Sequence, residues 1–141
     1  MSTNRGLVAE HLAMAWVSEL ASDQFELAVC LGDSAADFLY RIRDECGGWE
    51  PWRGVQVKRV YDKKDARTGK THPTINLVKN GDVRYREGDF HKVIAVDVQA
   101  QQVWVLPAEY VCKYKRLRLG PKWDMHRHTV NNGGATWTPH S

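Results

Sequence analysis

The stretch that decides the fold is G-V-Q-V-K-R-V-Y, residues 54–61, in which apolar and polar side chains alternate. Alternation over this length predicts a β-strand, because successive side chains of a strand point to opposite faces. Val55 and Val57 would then face one side of the sheet, and Gln56 and Lys58 would face the other. The strand therefore presents two polar side chains on a single face.

A second alternating stretch, D-F-L-Y-R-I-R at residues 37–43, precedes this strand, and Gly47-Gly48 marks a turn between the two. If the two strands pair as an antiparallel hairpin across that turn, the start of one lies near the end of the other. Asp37 would then come close to Gln56 and Lys58.

The rest of the chain predicts one helix followed by a run of strands. Apolar residues at three- and four-residue steps predict an amphipathic helix over Leu7–Ser22. Asp62–Pro73 is predicted to be a polar, mostly basic loop, and Asn80-Gly81 a tight turn. The other predicted strands are Phe25–Cys30, Thr74–Lys79, Val93–Gln99, Gln102–Leu106 and Lys113–Leu119, and a short helix is predicted over Pro107–Cys112. This order of elements predicts an α+β domain.

Length and composition bound the class of protein. The chain has 141 residues, of which 43% are hydrophobic and 26% charged, a composition typical of a globular domain and not of a disordered chain. Residues 1–120 are predicted to form this domain, and residues 121–141, which lose all periodicity, a loosely ordered C-terminal tail.

The cellular compartment is also predicted from the sequence. Cys30, Cys46 and Cys112 lie far apart without a C-x-x-C pair, which argues against a disulfide scaffold and for a reducing compartment. The sequence has no apolar run long enough to span a membrane and no signal peptide at its start. We therefore expect a soluble, intracellular protein without a membrane partner.

Charge is distributed unevenly along the chain. The net charge is +3, but residues 1–50 carry 3 basic against 9 acidic side chains (−6), and residues 51–141 carry 17 against 8 (+9). The basic part is a candidate surface for a polyanion, because Lys and Arg release the counterions condensed on phosphates. The alternative is an ordinary solvated surface.

Glu10 on the predicted helix completes a candidate site with Asp37, Gln56 and Lys58. A helix packed on the sheet could bring Glu10 to the same edge. Two carboxylates with an amide or a backbone carbonyl are hard oxygen ligands that match Mg²⁺, and a nearby lysine can steady an attacking water or the charge that grows on a phosphate. Each residue alone has an ordinary structural explanation; their order along one small domain favours metal-assisted phosphodiester hydrolysis.

Six short motifs are distributed along the chain: A-E-H-L-A-M-A-W (9–16), V-C-L-G-D-S-A-A-D-F (29–38), G-V-Q-V-K-R-V (54–60), V-I-A-V-D-V (93–98), V-W-V-L-P-A-E (103–109) and R-L-R-L (116–119). They resemble motifs of the PD-(D/E)XK nuclease superfamily, and more narrowly those of the group I intron-associated homing endonucleases. The resemblance covers residues 6–119. It implies a restriction-endonuclease-like core, with a mixed β-sheet flanked by helices and an N-terminal helix, and a bacterial or phage-encoded, cytoplasmic protein.

The resemblance also implies a role for each candidate residue. Asp37 would be the central metal ligand, Glu10 the supporting helix carboxylate and Lys58 the catalytic lysine. Gln56 and the backbone of Val57 would complete the metal site, with Mg²⁺ as the ion and Mn²⁺ as a substitute. Gln56 departs from the family, whose usual residue there is acidic. Its amide contributes no charge, so we expect weaker metal binding; the alternative is a domain that binds DNA without cutting it.

DNA is the partner implied by this activity. Because one site cuts one strand, cleavage of both strands implies a homodimer or a higher symmetric oligomer. The predicted DNA-binding residues are Arg59, Lys63, Lys64, Arg67 and Lys70 around the basic loop, and Lys113, Lys115, Arg116 and Arg118 near the end of the core. Two alternatives to the homing endonuclease are a Holliday-junction resolvase of the same superfamily and a non-catalytic DNA-binding or partner-binding module.

Overall fold

The structure, a computed structural model, describes residues 4–20, 25–30, 36–78, 85 and 88–129. Two helices, nine strands and one 3₁₀ helix lie in this part of the chain. In chain order they are α1 (Asn4–Leu20), β1 (Phe25–Val29), β2 (Phe38–Ile42), β3 (Arg53–Arg59), β4 (Tyr61–Lys64), β5 (Thr71–Asn76), β6 (Lys92–Asp97), β7 (Gln102–Pro107), α2 (Ala108–Val111), β8 (Arg116–Arg118), the 3₁₀ helix (Pro121–His126) and β9 (Arg127–Thr129).

The strands form two sheets. A six-stranded sheet has the order β1-β2-β3-β6-β7-β9, and a three-stranded sheet has the order β4-β5-β8. In the large sheet β3 and β6 run parallel, and the other neighbouring pairs of described strands are antiparallel. The chain reaches β6 from β3 by way of the small sheet, a crossover that a parallel pair requires. The predicted α+β fold, with a mixed sheet and an N-terminal helix, is confirmed.

Each face of the large sheet is covered by a different layer. Helix α1 packs on one face through Ala9, Ala13 and Trp16, against a row that includes Val55 and Val57 of β3. The small sheet covers the other face with Ile75, Leu77, Leu117 and Leu119, which pack near Val93 of β6 together with the short helix α2. Strands β6 and β7 are consequently buried on both faces, with buried residues at four consecutive positions in each.

The predicted basic loop over Asp62–Pro73 is wrong. Residues 61–64 and 71–76 are strands β4 and β5, which pair antiparallel, and β5 starts at Thr71 instead of Thr74. The sequence shows no apolar alternation here because all four residues of β4 are exposed, and neither face of that strand meets a core. The predicted Asn80-Gly81 turn lies outside the described residues.

The loosely ordered tail expected from residue 121 does not begin there. Pro121 opens the 3₁₀ helix, whose Trp123 is buried with the small-sheet core, and Arg127–Thr129 adds an edge strand beside β7. A three-residue strand carries no periodicity of its own, so the sequence pattern missed it. The predicted tail from residue 130 onward lies outside the described residues. None of the described helices is both long enough and apolar enough to cross the bilayer.

Candidate active site

The hairpin of β2 and β3 brings Asp37 to the Gln56–Lys58 region, as predicted. Phe38 pairs with Val55 in antiparallel register, and the backbone N–H of Asp37 donates to the Val55 carbonyl over 2.7 Å. Asp37 immediately precedes Phe38 in the chain, and in an antiparallel pair it therefore lies opposite the residue that follows Val55. This position puts its side chain next to Gln56 and Val57.

The Asp37 carboxylate is held by two N–H donors of β3. Its Oδ2 atom accepts a hydrogen bond from the Val57 backbone N–H over 2.7 Å and another from Nε2 of Gln56 over 2.9 Å. Nε2 of Gln56 also donates to the Val57 carbonyl over 3.3 Å. Gln56 is one of the few buried polar side chains among the described residues, and its amide nitrogen donates the hydrogen bond that orients Asp37.

Helix α1 adds a second carboxyl group to the site. The pKa of Asp37 is raised to about 7: burial raises it most, a hydrogen bond with the Glu10 side chain and the negative charge of Glu10 raise it as well, and the Val57 N–H and the Lys58 ammonium oppose the shift. Ala9 and Ala13 fix the helix on the sheet, which leaves the half-buried Glu10 beside Asp37. The two carboxyl groups therefore compete for one proton or for a cation.

Lys58 lies on the same face of β3 as Gln56. Burial lowers the pKa of Lys58, while the carboxylate of Asp37 opposes that shift. Its Nζ atom lies 4.9 Å from the centroid of the Tyr85 ring. Tyr85 in turn meets Phe90 edge-on, with 5.0 Å between ring centroids. The ammonium group is thus placed between an aromatic face and a carboxylate.

Tyr85 is the site residue that the sequence did not identify. Burial first, and then the nearby acidic groups of Asp37, Asp89 and Cys112, together raise the pKa of Tyr85 to about 12. Its hydroxyl is consequently protonated at neutral pH. Tyr85 lies in no regular element, so no periodic signal marked it, and its position depends on Phe90, which packs close to Gly54 of β3.

The donors of the site fit a hard divalent cation. The carboxyl groups of Glu10 and Asp37, the Gln56 amide and the Val57 carbonyl are oxygen ligands of the kind that Mg²⁺ takes. Glu10 and Asp37 share a hydrogen bond, and burial together with Glu10 raises the pKa of Asp37; a cation bound beside them would replace the proton and favour their charged forms. Among the described residues no group of three His, Cys, Asp or Glu side chains could hold a metal. Neutral oxygens and water would therefore have to complete the coordination.

The two predicted clusters of DNA-binding residues belong largely to the small sheet and the segments next to it. Lys63 and Lys64 lie on β4, Arg67 and Lys70 in the turn that follows, and Arg116 and Arg118 on β8, all in the small sheet. Arg59 ends β3, next to this sheet, and Lys113 and Lys115 precede β8. The pairing of β5 with both β4 and β8 brings together residues that are far apart in sequence, since Tyr61 and Arg118 both pair with Thr74.

A stack of arginine and tryptophan side chains lies at the far end of the β2–β3 hairpin. The Arg41 guanidinium carbon is 4.5 Å from the ring centroid of Trp49 and 4.6 Å from that of Trp52. The guanidinium carbon of Arg43 is 4.4 Å from the Trp49 centroid, so Trp49 contacts both arginines. Arg41 also forms an ion pair with Glu26 of β1 over 3.1 Å. By strand parity Arg41 and Arg43 share the sheet face of Asp37.

The chain is an α+β domain with a mixed sheet, and polar side chains gather around Asp37 on that sheet. No protein-family model matches the sequence, and no curated protein sequence matches it. The solved structure of a bacterial homing endonuclease, I-Ssp6803I, is similar to this chain, with a TM-score of 0.64 and 20% sequence identity over 87% of this chain and 86% of that chain. The similarity shows a shared fold, and the predicted fold class is confirmed with it.

Proposed function

We propose that the protein is a metal-dependent DNA endonuclease of the PD-(D/E)XK type, and that its role is that of a homing endonuclease. The observation that carries this proposal is the convergence of Glu10, Gln56 and Lys58 on one carboxylate, Asp37. The shared fold with a bacterial homing endonuclease supports the role, and the basic small sheet supports DNA as the substrate.

Asp37 and Glu10 would hold Mg²⁺ or Mn²⁺, with oxygens of Gln56 and Val57. A bound Mg²⁺ supplies Lewis-acid polarisation of the phosphate and a water of lowered pKa. In the reaction a water oxygen forms a bond to phosphorus, the bond from phosphorus to the leaving oxygen breaks, and the proton lost by water is balanced by the proton that the leaving oxygen takes up.

Lys58 acts on the charge that develops in this reaction. Its ammonium lies within the electrostatic reach of Asp37, so it can donate a hydrogen bond to a phosphate oxygen or to the attacking water at the same site. The face of Tyr85 restricts the lysine side chain to that direction. Asp37 is oriented before any cation arrives, because the Val57 N–H and the Gln56 amide fix its Oδ2 atom.

Because the Gln56 amide is neutral, the proposed site carries one negative charge fewer than a site with three carboxylates. We propose that the enzyme remains active and requires a higher metal concentration. The alternative is a non-catalytic DNA-binding module, in which the loss of an acidic residue at position 56 has abolished metal binding and cleavage. Since the described residues form one such site, we propose that both strands are cut by a homodimer or a higher symmetric oligomer. A DNA substrate also implies an intracellular protein.

Nicking of supercoiled plasmid with Mg²⁺ or Mn²⁺ tests the proposal. We expect nicking by the wild type and its loss in Asp37→Ala and Lys58→Ala. Matched controls are Asp124→Ala and Lys122→Ala, which replace the same residue types on the 3₁₀ helix and should nick normally. A protein that binds duplex DNA but nicks with neither ion is the non-catalytic module. Preferential cleavage of a four-way junction over long duplex would identify a Holliday-junction resolvase.

A further inference from the structure

The β4–β5 hairpin extends beyond the sheet to which it belongs. Strand β8 pairs with residues 74–76 of β5, whereas β4 pairs with residues 71–74. Residues 62–73, here called the distal ribbon, are therefore a two-stranded part without a third strand. All four residues of β4 and residues 66–71 are exposed, so the ribbon lies at the surface of the domain, and the Asp65 carboxylate at its turn lies 3.9 Å from the Arg118 guanidinium of β8.

The distal ribbon is closed by a well-formed turn. The Asp65 backbone N–H donates to the Lys70 carbonyl and the Gly69 N–H donates to the Asp65 carbonyl, each over 2.8 Å, and Oδ1 of Asp65 accepts from the Arg67 N–H over 2.8 Å. Gly69 has a φ of +72°, a left-handed conformation that glycine adopts without strain. A ribbon fixed before binding loses little conformational entropy when it docks.

The outward face of the ribbon continues the outward face of the small sheet. Ile75 and Leu117 point into the core, so the alternate positions of each strand point away from it. Lys63 and His72 are a cross-strand pair on this outward face, and Arg116 and Arg118 continue it on β8. Lys64, one residue from Lys63, lies on the opposite face.

Charge and width identify the ligand. The distal ribbon carries Lys63, Lys64, Arg67 and Lys70 against Asp62 and Asp65, a net charge of 4 − 2 = +2. Two strands lie about 4.8 Å apart, and a two-stranded β-ribbon fits the undistorted DNA major groove, which is about 12 Å wide, whereas the minor groove is about 6 Å wide.

We propose that the distal ribbon enters the major groove of duplex DNA with its outward face toward the base edges. Lys63 and His72 are then specificity-determining residues, and Arg116 and Arg118 at the base of the ribbon contact the phosphates beside the groove. Lys64 faces away from the bases and contributes charge alone. The inference rests on the proposed function in that it takes duplex DNA as the ligand.

Binding to groove-blocked duplexes tests this inference without cleavage. The Asp37→Asn protein is titrated with two duplexes of one sequence, one with ordinary cytosine and one with glucosylated 5-hydroxymethylcytosine, whose sugar fills the major groove. Glucosylation should weaken binding about tenfold or more, the size of a lost base contact. Distamycin, which occupies the minor groove of an A-tract in the duplex, should leave binding unchanged.

The matched pair Lys63→Ala and Lys64→Ala identifies the reading face. Lys63→Ala should reduce the difference between the two duplexes, whereas Lys64→Ala should weaken binding to both equally. Both side chains are exposed, and a thermal melt checks that both variants fold.

Equal binding of the two duplexes by the Asp37→Asn protein, or displacement by distamycin instead, would overturn the major-groove inference and leave the proposed nuclease function standing. If the protein binds the two duplexes unequally but the wild type never nicks DNA, the proposed catalytic activity is overturned and the ribbon inference stands. A protein that binds no duplex at all would overturn both.

Discussion

Asp37 is the residue on which the site depends, and its environment makes metal binding sensitive to pH. Its pKa is raised from 3.8 to about 7, first by burial and then by Glu10. Between these two values the folded protein keeps a proton that the unfolded chain has lost. The free energy of unfolding of the metal-free protein should therefore fall as pH rises across this window.

Metal affinity should move in the opposite direction. A cation must displace the proton that Asp37 holds, so Mn²⁺ affinity should increase as pH rises through about 7 and level off above it. Urea unfolding without metal at pH 5 and pH 8, and Mn²⁺ titrations over the same range, measure the two effects. Asp37→Asn should remove both; a wild type whose affinity is the same at each pH contradicts this explanation.

Tyr85 positions Lys58 through its ring face, 4.9 Å from the ammonium. Tyr85→Phe keeps that face and should retain most nicking activity, whereas Tyr85→Leu removes it and should lower kcat about tenfold with little change in KM, a barrier increase of about 1.4 kcal/mol. Single-turnover nicking of the two variants separates these effects. Equal activity of the leucine and phenylalanine variants would show that the ring face does not position the lysine.

At the scale of an element, the stacked tryptophans stabilise the β2–β3 hairpin that carries Asp37. Trp49 contacts two guanidinium groups, those of Arg41 and Arg43. Trp49→Ala should lower the free energy of unfolding by about 1–2 kcal/mol. Tyr110→Ala, which removes an exposed aromatic residue of α2, is the control and should change stability little. Chemical denaturation that shows the same loss for both variants would remove the special role of the stack.

Elements with an alternating apolar and polar pattern could be predicted from the sequence. The β2–β3 hairpin follows from strand parity, with Val55 and Val57 buried, and that parity placed Gln56 and Lys58 beside Asp37. The β4–β5 hairpin could not be predicted, because a ribbon exposed on both faces has no apolar pattern. Tyr85 and the Trp49 stack depend on tertiary contacts between irregular segments, which local periodicity does not encode.

At the scale of the whole molecule, the acidic and basic parts of the chain form different elements of the fold. Helix α1, strand β1 and the β2–β3 turn belong to the acidic part, and the small sheet belongs to the basic part. DNA binding should therefore weaken with salt mainly through the small sheet. Arg116→Ala should reduce the slope of log affinity against log salt by about 1, as expected for one lost phosphate contact. An unchanged slope would place the phosphate contacts elsewhere.

The central claim is that Glu10, Asp37, Gln56 and Val57 surround one divalent-cation site. Electron paramagnetic resonance of Mn²⁺ titrated into the metal-free protein at pH 8 measures this most directly. We predict one site per chain in the wild type, tighter binding in Gln56→Glu because it adds a carboxylate, and loss of the site in Asp37→Asn but not in Asp124→Asn. A wild type that binds no Mn²⁺, or binding that survives Asp37→Asn unchanged, would contradict the account.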